Sequence, residues 1–308
     1  MESDFDGGTA RLTFTGSGTQ TFDLTGAEGL FNGDIHVDKS GGEVDLLSDL
    51  TMNASGQDLV IREGTFDVSG FALSVTGAGT ETLVIESGGN LQLQGGETIT
   101  GDSASYPQLD SGSKVTYDGT VGPYTLKDYT YSNLKINGSG GTFSPAANEV
   151  LGGSLALTAG TLDVNDLTLA INGDTTINGG TMKTGTNTIT FGDAAGDSVT
   201  ISTGKIQIES DTIATDIVKN AATWTNSGGT VVYNSPTGIT DNVLAALEPY
   251  YNLTVNSSGS TYSLTEDTDV NGTVTLFGGA LSTSGSNFGM TVGGGWTDAG
   301  DGTFTEGA

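Results

Sequence analysis

The sequence predicts an all-β fold: an elongated β-solenoid, in which short parallel strands stack coil upon coil. Three observations predict it. Gly supplies 50 of the 308 residues and Pro 5. That is more than twice the usual ~7% share for Gly, and it suits a chain that turns often, because Gly takes positive φ without a Cβ clash. Thr, Val, Leu and Ile alternate in short runs such as Leu73-Ser-Val-Thr and Leu253-Thr-Val-Asn, the period-2 pattern of strands with one buried face. Finally, three segments of the chain are near copies of one module.

The copies align without a gap over ten positions: Ile35-His-Val-Asp-Lys-Ser-Gly-Gly-Glu-Val44, Leu134-Lys-Ile-Asn-Gly-Ser-Gly-Gly-Thr-Phe143 and Leu253-Thr-Val-Asn-Ser-Ser-Gly-Ser-Thr-Tyr262. The offsets are 99 between Val37 and Ile136 and 119 between Ile136 and Val255. Each copy continues in step. Gly64-Thr-Phe-Asp-Val68 matches Gly160-Thr-Leu-Asp-Val164 and Gly279-Ala-Leu-Ser-Thr283, and Leu73-Ser-Val-Thr-Gly77 matches Leu169-Ala-Ile-Asn-Gly173 and Met290-Thr-Val-Gly-Gly294. Each copy is preceded by a strand of one type: Arg11-Leu-Thr-Phe-Thr15, Lys114-Val-Thr-Tyr-Asp118 and Thr230-Val-Val-Tyr-Asn234. The chain therefore reads as one continuous solenoid over 1–308, with approximate modules 7–110, 111–227 and 228–308. The modules differ in length because extra coils are inserted at Thr80–Leu93 and Asp197–Thr225.

A strand of four or five residues with alternate apolar side chains cannot bury its apolar face alone. Stacking coils covers that face and pairs each backbone N–H and C=O with the coils above and below. At roughly 20–25 residues per coil the chain makes about 12–15 coils, a rod roughly 60–70 Å long. The competing reading is an antiparallel sandwich, since Asn137-Gly138, Asn172-Gly173, Asn178-Gly179 and Asn271-Gly272 are hairpin-type turn pairs. One stretch departs from both patterns. Near 240–249, Asp241 and the Leu/Ala run before Pro249 predict a short helical or loop insertion.

There are 37 acidic and 9 basic residues, a net charge of −28. That excludes nucleic acid and anionic lipid as partners, because both require Lys/Arg to neutralise phosphate. There is no cysteine, so disulfides and thiolate metal sites are excluded. No window approaches the ~18 consecutive apolar residues of a membrane span. The opening Met1-Glu-Ser-Asp-Phe-Asp-Gly-Gly lacks the basic and apolar regions of an export signal, which is expected to be removed or to lie outside this sequence.

A search for chemistry returns little, and the chain reads as a non-enzyme with no catalytic and no cofactor-binding residues. The one histidine, His36, alternates with Ile35 and Val37 and reads as an outward-facing surface residue. The Gly-Gly pairs lie between strands, without the following helix that cradles phosphate. Asp163 with Asp166, and Glu266, Asp267 and Asp269, are the acids from which a polysaccharide-active β-helix enzyme would draw, but basic partners are scarce. Calcium is the candidate cofactor. The turns holding Asp193 and Asp197, Asp267 and Asp269, and Asp298 and Asp301 offer hard oxygen ligands, with ordinary turn-forming Asp as the competing reading. Thr13-Phe-Thr15, Thr186-Asn-Thr188, Thr273-Val-Thr275 and Thr303-Phe-Thr305 invite an ice-binding reading, which needs two Thr per coil in unbroken succession. Trp224 and Trp296, and Tyr131 and Tyr250, fall at equivalent module positions, which favours packing over glycan contact.

Tyr251-Asn-Leu-Thr-Val-Asn256, the run Asp269-Val-Asn-Gly-Thr-Val-Thr-Leu276 and Thr291-Val-Gly-Gly-Gly-Trp-Thr297 resemble the solenoid repeats of large secreted bacterial surface proteins of the autotransporter and adhesin type. The resemblance implies a right-handed parallel β-helix, exported to the cell surface or beyond, with no catalytic residues to carry over. It also bears on the two ends. Internally, Trp224-Thr-Asn-Ser-Gly-Gly leads into Thr230-Val-Val-Tyr233. Trp296-Thr-Asp-Ala-Gly-Asp-Gly-Thr-Phe-Thr305 stops before such a strand, and Arg11-Leu-Thr-Phe14 supplies one. The expected function is therefore structural: a filament subunit stacking head to tail on itself, with Leu12, Phe14, Thr303, Phe304 and Thr305 at the interface. The alternative is a slice of a larger adhesin that binds glycan or another surface. Against either, Met1–Asp6 would fold over one end as a cap.

Overall fold

The computed structural model describes residues 9–26, 32–77, 82–101, 106–220, 222–236, 238–243, 245–283 and 287–306. The cap expected at Met1–Asp6 lies outside them. About 12 coils stack into an all-β solenoid, roughly 60 Å long at ~4.8 Å per coil. Every pairing between described strands is parallel, as in Leu12↔Ile35, Leu59↔Leu83, Leu155↔Thr175 and Val274↔Trp296. The antiparallel reading is thereby overturned. Asn137-Gly138 does not close a hairpin. It bends one continuous strand, Asn133–Ser144, whose two halves both pair with Leu155–Asp163.

Each coil carries up to three strand positions, here called faces 1, 2 and 3. Long strands such as Ile35–Leu46, Asn133–Ser144 and Asn252–Ser263 turn a corner midway and serve faces 1 and 2. Short strands such as Leu50–Met52, Leu169–Ile171 and Thr268–Val270 form face 3. Inward side chains line up into columns because the register is kept. Face 1 stacks Ile35, Leu59 and Leu83 in the first module and Leu134, Leu155, Thr175 and Val199 in the second. These residues are buried. Removing each of the Ile, Leu and Val side chains from water is worth about 1.5–3 kcal/mol. Of the coil expected at Thr80–Leu93, the described residues place Thr82–Ile85 on face 1 and Gly89–Leu93 on face 2.

The corners are held by Asx side chains that reach one coil onward. Before face 1, Asp34, Asn133 and Asn252 accept the amides of Asp58, Ser154 and Thr273. Before face 3, Asp49, Asn148 and Asp267 accept those of Ala72, Thr168 and Gly289. Both rows keep the module offsets seen in the sequence. They satisfy turn amides that no strand neighbour reaches.

The modules meet through linking strands, and here the stack changes face. Lys114–Tyr117 pairs with Asn90–Leu93 on face 2 of the preceding module and with Asn133–Ile136 on face 1 of the next. Thr230–Tyr233 does the same between Lys205–Ile208 and Asn252–Val255. One sheet of 21 strands therefore runs through all three modules. Each junction buries a tyrosine pair. The Tyr117 and Tyr131 hydroxyls are 2.7 Å apart and those of Tyr233 and Tyr250 2.8 Å. Tyr131 also donates to the Lys127 carbonyl, so Tyr117 is the donor within its pair. The equivalence of Tyr131 and Tyr250 is thus one of packing.

The 240–249 stretch is mostly not helical. Thr240–Asn242 is a strand against Thr261–Ser263, followed by a single 3-10 turn at Ala245–Leu247. Asp241 caps elsewhere: its carboxylate accepts the Ile213 amide at the start of a separate helical turn, Ile213–Asp216.

Candidate functional site

The residues singled out for end-to-end contact lie at opposite ends of the rod. Leu12–Thr15 pairs along one edge with Ile35–Asp38, and no described strand pairs with its other edge. At the far end, Trp296–Thr305 pairs along one edge with Val274–Ser282, and its other edge is equally unpaired among the described residues. Leu12 is half-buried and Phe14 packs edge-on against Phe22 at 5.4 Å. Trp296 and Phe304 stand at 5.1 Å in a T-shaped pair, yet 43% and 41% exposed. Trp224, the internal counterpart of Trp296, is 8% exposed and packs against Phe191. The packing role read for both tryptophans therefore holds for Trp224, while Trp296 lies open on the last coil. Thr303 and Thr305 flank Phe304 on the wet side.

The acids expected to bind calcium are not drawn into one group of three among the described residues: Asp269 is in the strand Thr268–Val270, and Asp298 and Asp301 are in Trp296–Thr305. Asp197 accepts the amides of Asp193 and Ala194 across its own turn. Asp267 accepts the Gly289 amide. Asp298 stands in register with Leu276 and Asp301 with Gly278. Among the described residues, one group of three carboxylates comes within 4.8 Å, and it is a different one: Glu43, Asp45 and Asp67. It arises because Asp45 and Asp67 are register partners. The amide of Gln92 donates to both Asp67 and Asp118, at 3.0 Å each.

Asp163 and Asp166 line a groove of about 360 Å³, together with Glu209, Asn234 and Ser235. Asp163 is neutralised by Lys183 at 3.1 Å, and Asp166 accepts from Thr186. The threonines stack in single file, as in Thr176, Thr200 and Thr225, or Thr254, Thr275 and Thr297. Where a coil carries two, as in Thr223-Trp-Thr225, the second meets Ser198 in the neighbouring coil, so the unbroken succession of two Thr that the ice-binding reading requires is not kept there.

His36 corrects the sequence reading. It points outward but is 6% exposed, flanked in register by Thr13 and Val60. Burial lowers its pKa, as do the positive charges of Arg62 and Arg11.

Several carboxyls move the other way. Burial, then the charges of Asp67 and Glu97, raise Asp118 to about 6, and burial raises Glu149 to about 7. Burial also raises Asp45, Asp67 and Glu248. A carboxyl whose folded pKa exceeds its unfolded value is disfavoured in the fold when charged, so stability rises as pH falls from about 8 toward about 5. Lower pH also relieves the repulsion of a net charge of −28. His36 opposes the trend, losing stability as pH falls through its unfolded value of about 6.5. The expected result is a Tm a few degrees higher at pH 5 than at pH 8, read by calorimetry; a flat or falling Tm over that range contradicts it.

Among the described residues, no helix is long and apolar enough to cross a membrane. Comparison of the chain with protein-family models, with curated proteins and with solved structures found no match.

Proposed function

We propose that this chain is a structural element of an extracellular or cell-surface assembly, a rod that stacks end to end on further copies of itself. The observation that carries this reading is the pair of strand edges left unpaired among the described residues, one at Leu12–Thr15 and one at Trp296–Thr305, the latter with two exposed aromatic rings. An open edge is a template for another strand. Because the two edges lie at opposite ends, the contact is heterologous and does not close on itself, and such contacts propagate as filaments. The acidic surface supports the same reading, since repulsion between rod sides disfavours lateral clumping.

A second reading, a segment of a larger adhesin, is favoured by the groove at Asp163, Asp166 and Glu209, whose carboxylates and neighbouring Asn234 amide suit a hydroxyl-rich ligand.

The test of the filament reading is light scattering with negative-stain imaging over a concentration series. Rods in multiples of roughly 60 Å are expected, and Phe304→Asp is expected to return them to single length. Monodisperse single rods at every concentration overturn the reading.

A further inference from the structure

We infer that the outer edge of Thr303–Thr305 receives the Leu12–Thr15 strand of a second copy in one particular register: Thr303 against Arg11, Phe304 against Leu12 and Thr305 against Thr13. The inference rests on the filament reading and goes further, because it says which face meets which.

The chain contains two worked examples of the contact. At both internal junctions the linking strand sits on face 2 of the module before it. Leu91 is under Val115 and Gln92 under Thr116; Ile206 is under Val231 and Gln207 under Val232. Each linking strand then carries face 1 of the module after it, Val115 with Leu134 and Val231 with Leu253. Leu12–Thr15 is the third strand of this type. It already makes the second half of the contact, Leu12 with Ile35 and Thr13 with His36. What it lacks among the described residues is a face 2 beneath it.

The far end offers that face. Phe304 is the top of the face 2 column that runs Tyr262, Leu281, Phe304. Gly302-Thr-Phe-Thr305 has the pattern of Gly89-Asn-Leu-Gln92 and Gly204-Lys-Ile-Gln207, which lie under the two internal linking strands. Placed by that pattern, Phe304 falls under Leu12 and loses its exposure. The simpler alternative continues face 1 directly. It puts Leu12 on Trp296, Thr13 on Thr297 and Phe14 on Asp298, setting a carboxylate under a buried ring column, which is costly unless the charge is paired. The shifted register also brings a carboxylate to Phe14, since Glu306 follows Thr305 where Leu93 and Ile208 stand at the internal junctions, but Asp298 lies within the strand Trp296–Thr305 and Glu306 lies past its end.

The chain has no cysteine, so single cysteines report the register without background. Parallel neighbours in register lie within the 4.4–6.8 Å Cα range of a disulfide. Gln92→Cys with Thr116→Cys in one chain calibrates the position, because Gln92 and Thr116 are the internal equivalents of Thr305 and Thr13. Thr13→Cys is then mixed with Thr305→Cys, and separately with Thr297→Cys, oxidised, and run without reductant. The inference expects a covalent dimer in the first mixture and none above the single-variant background in the second. Filaments whose dimer appears with Thr297→Cys, or with neither, overturn the register while leaving end-to-end stacking intact. Absence of any assembly overturns the filament reading and this inference with it.

Discussion

Leu151→Asp is expected to unfold the middle of the rod, while Val150→Asp, one residue away, leaves it standing. The two are adjacent apolar residues on the same face 3 strand, Glu149–Leu151. Leu151 is fully buried under Ile171, whereas Val150 is 56% exposed and opposes Ala170 on the wet side. An unpaired carboxylate in the inner column loses a large apolar contact, about 2–5 kcal/mol for truncation alone, and adds the cost of burying a charge. At roughly 2–4 °C per kcal/mol for a chain of this size class, Tm falls on the order of 10 °C. Val150→Asp changes a surface side chain and is expected within about 0.5 kcal/mol of the parent. Because coils interact with nearest neighbours, hydrogen exchange in Leu151→Asp is expected to rise around that coil before it rises near the ends. Equal destabilisation by the two variants would contradict the inside–outside assignment.

Gly185→Ala carries the second large effect, out of proportion to the single methyl added. Gly185 has φ +67, and a Cβ there would lie 1.2 Å from the carbonyl oxygen of Asn165, in the coil beneath. The obstacle is backbone, so no rotamer change relieves it. The coils must part locally, breaking the stacking that holds the corner. Gly56 separates this from conformational preference. It has φ +78 with nothing near its missing Cβ, so Gly56→Ala meets only the left-handed penalty of about 1–2 kcal/mol. Gly185→Ala is expected to cost about 2 kcal/mol more than Gly56→Ala in denaturant melts, in the range of overpacking. Equal costs would show that the corner coils are spaced more loosely than described.

The stacking itself was legible because inward columns repeat. Ile35, Leu134 and Leu253 align in sequence because each begins face 1 of its module. The recurrence of the apolar runs as near copies favoured stacking over a sandwich, and the parallel pairing then decided between them. The face change at each junction was not legible. Val115 pairs with both Leu91 and Leu134, but sequence similarity aligns it only with Leu12 and Val231. Burial on the outer surface was also hidden: His36 alternates as an outward residue should, and its cover comes from coils on either side. For the acids, the residue type of a corner cap and of a cation ligand is the same. Asp267 reads as either until the Gly289 amide is seen on its oxygen. The Glu43, Asp45 and Asp67 group needed the register between two coils, which spacing alone does not supply.

The most direct test of the central claim is fibre diffraction or cryo-electron microscopy of the concentrated protein. Coils that stack in parallel and continue from copy to copy predict an axial repeat of ~4.8 Å running unbroken along filaments, with junctions between copies indistinguishable in spacing from those at Lys114–Tyr117 and Thr230–Tyr233. Filaments whose axial repeat is interrupted at every copy, or rods that stay single at all concentrations, would contradict it.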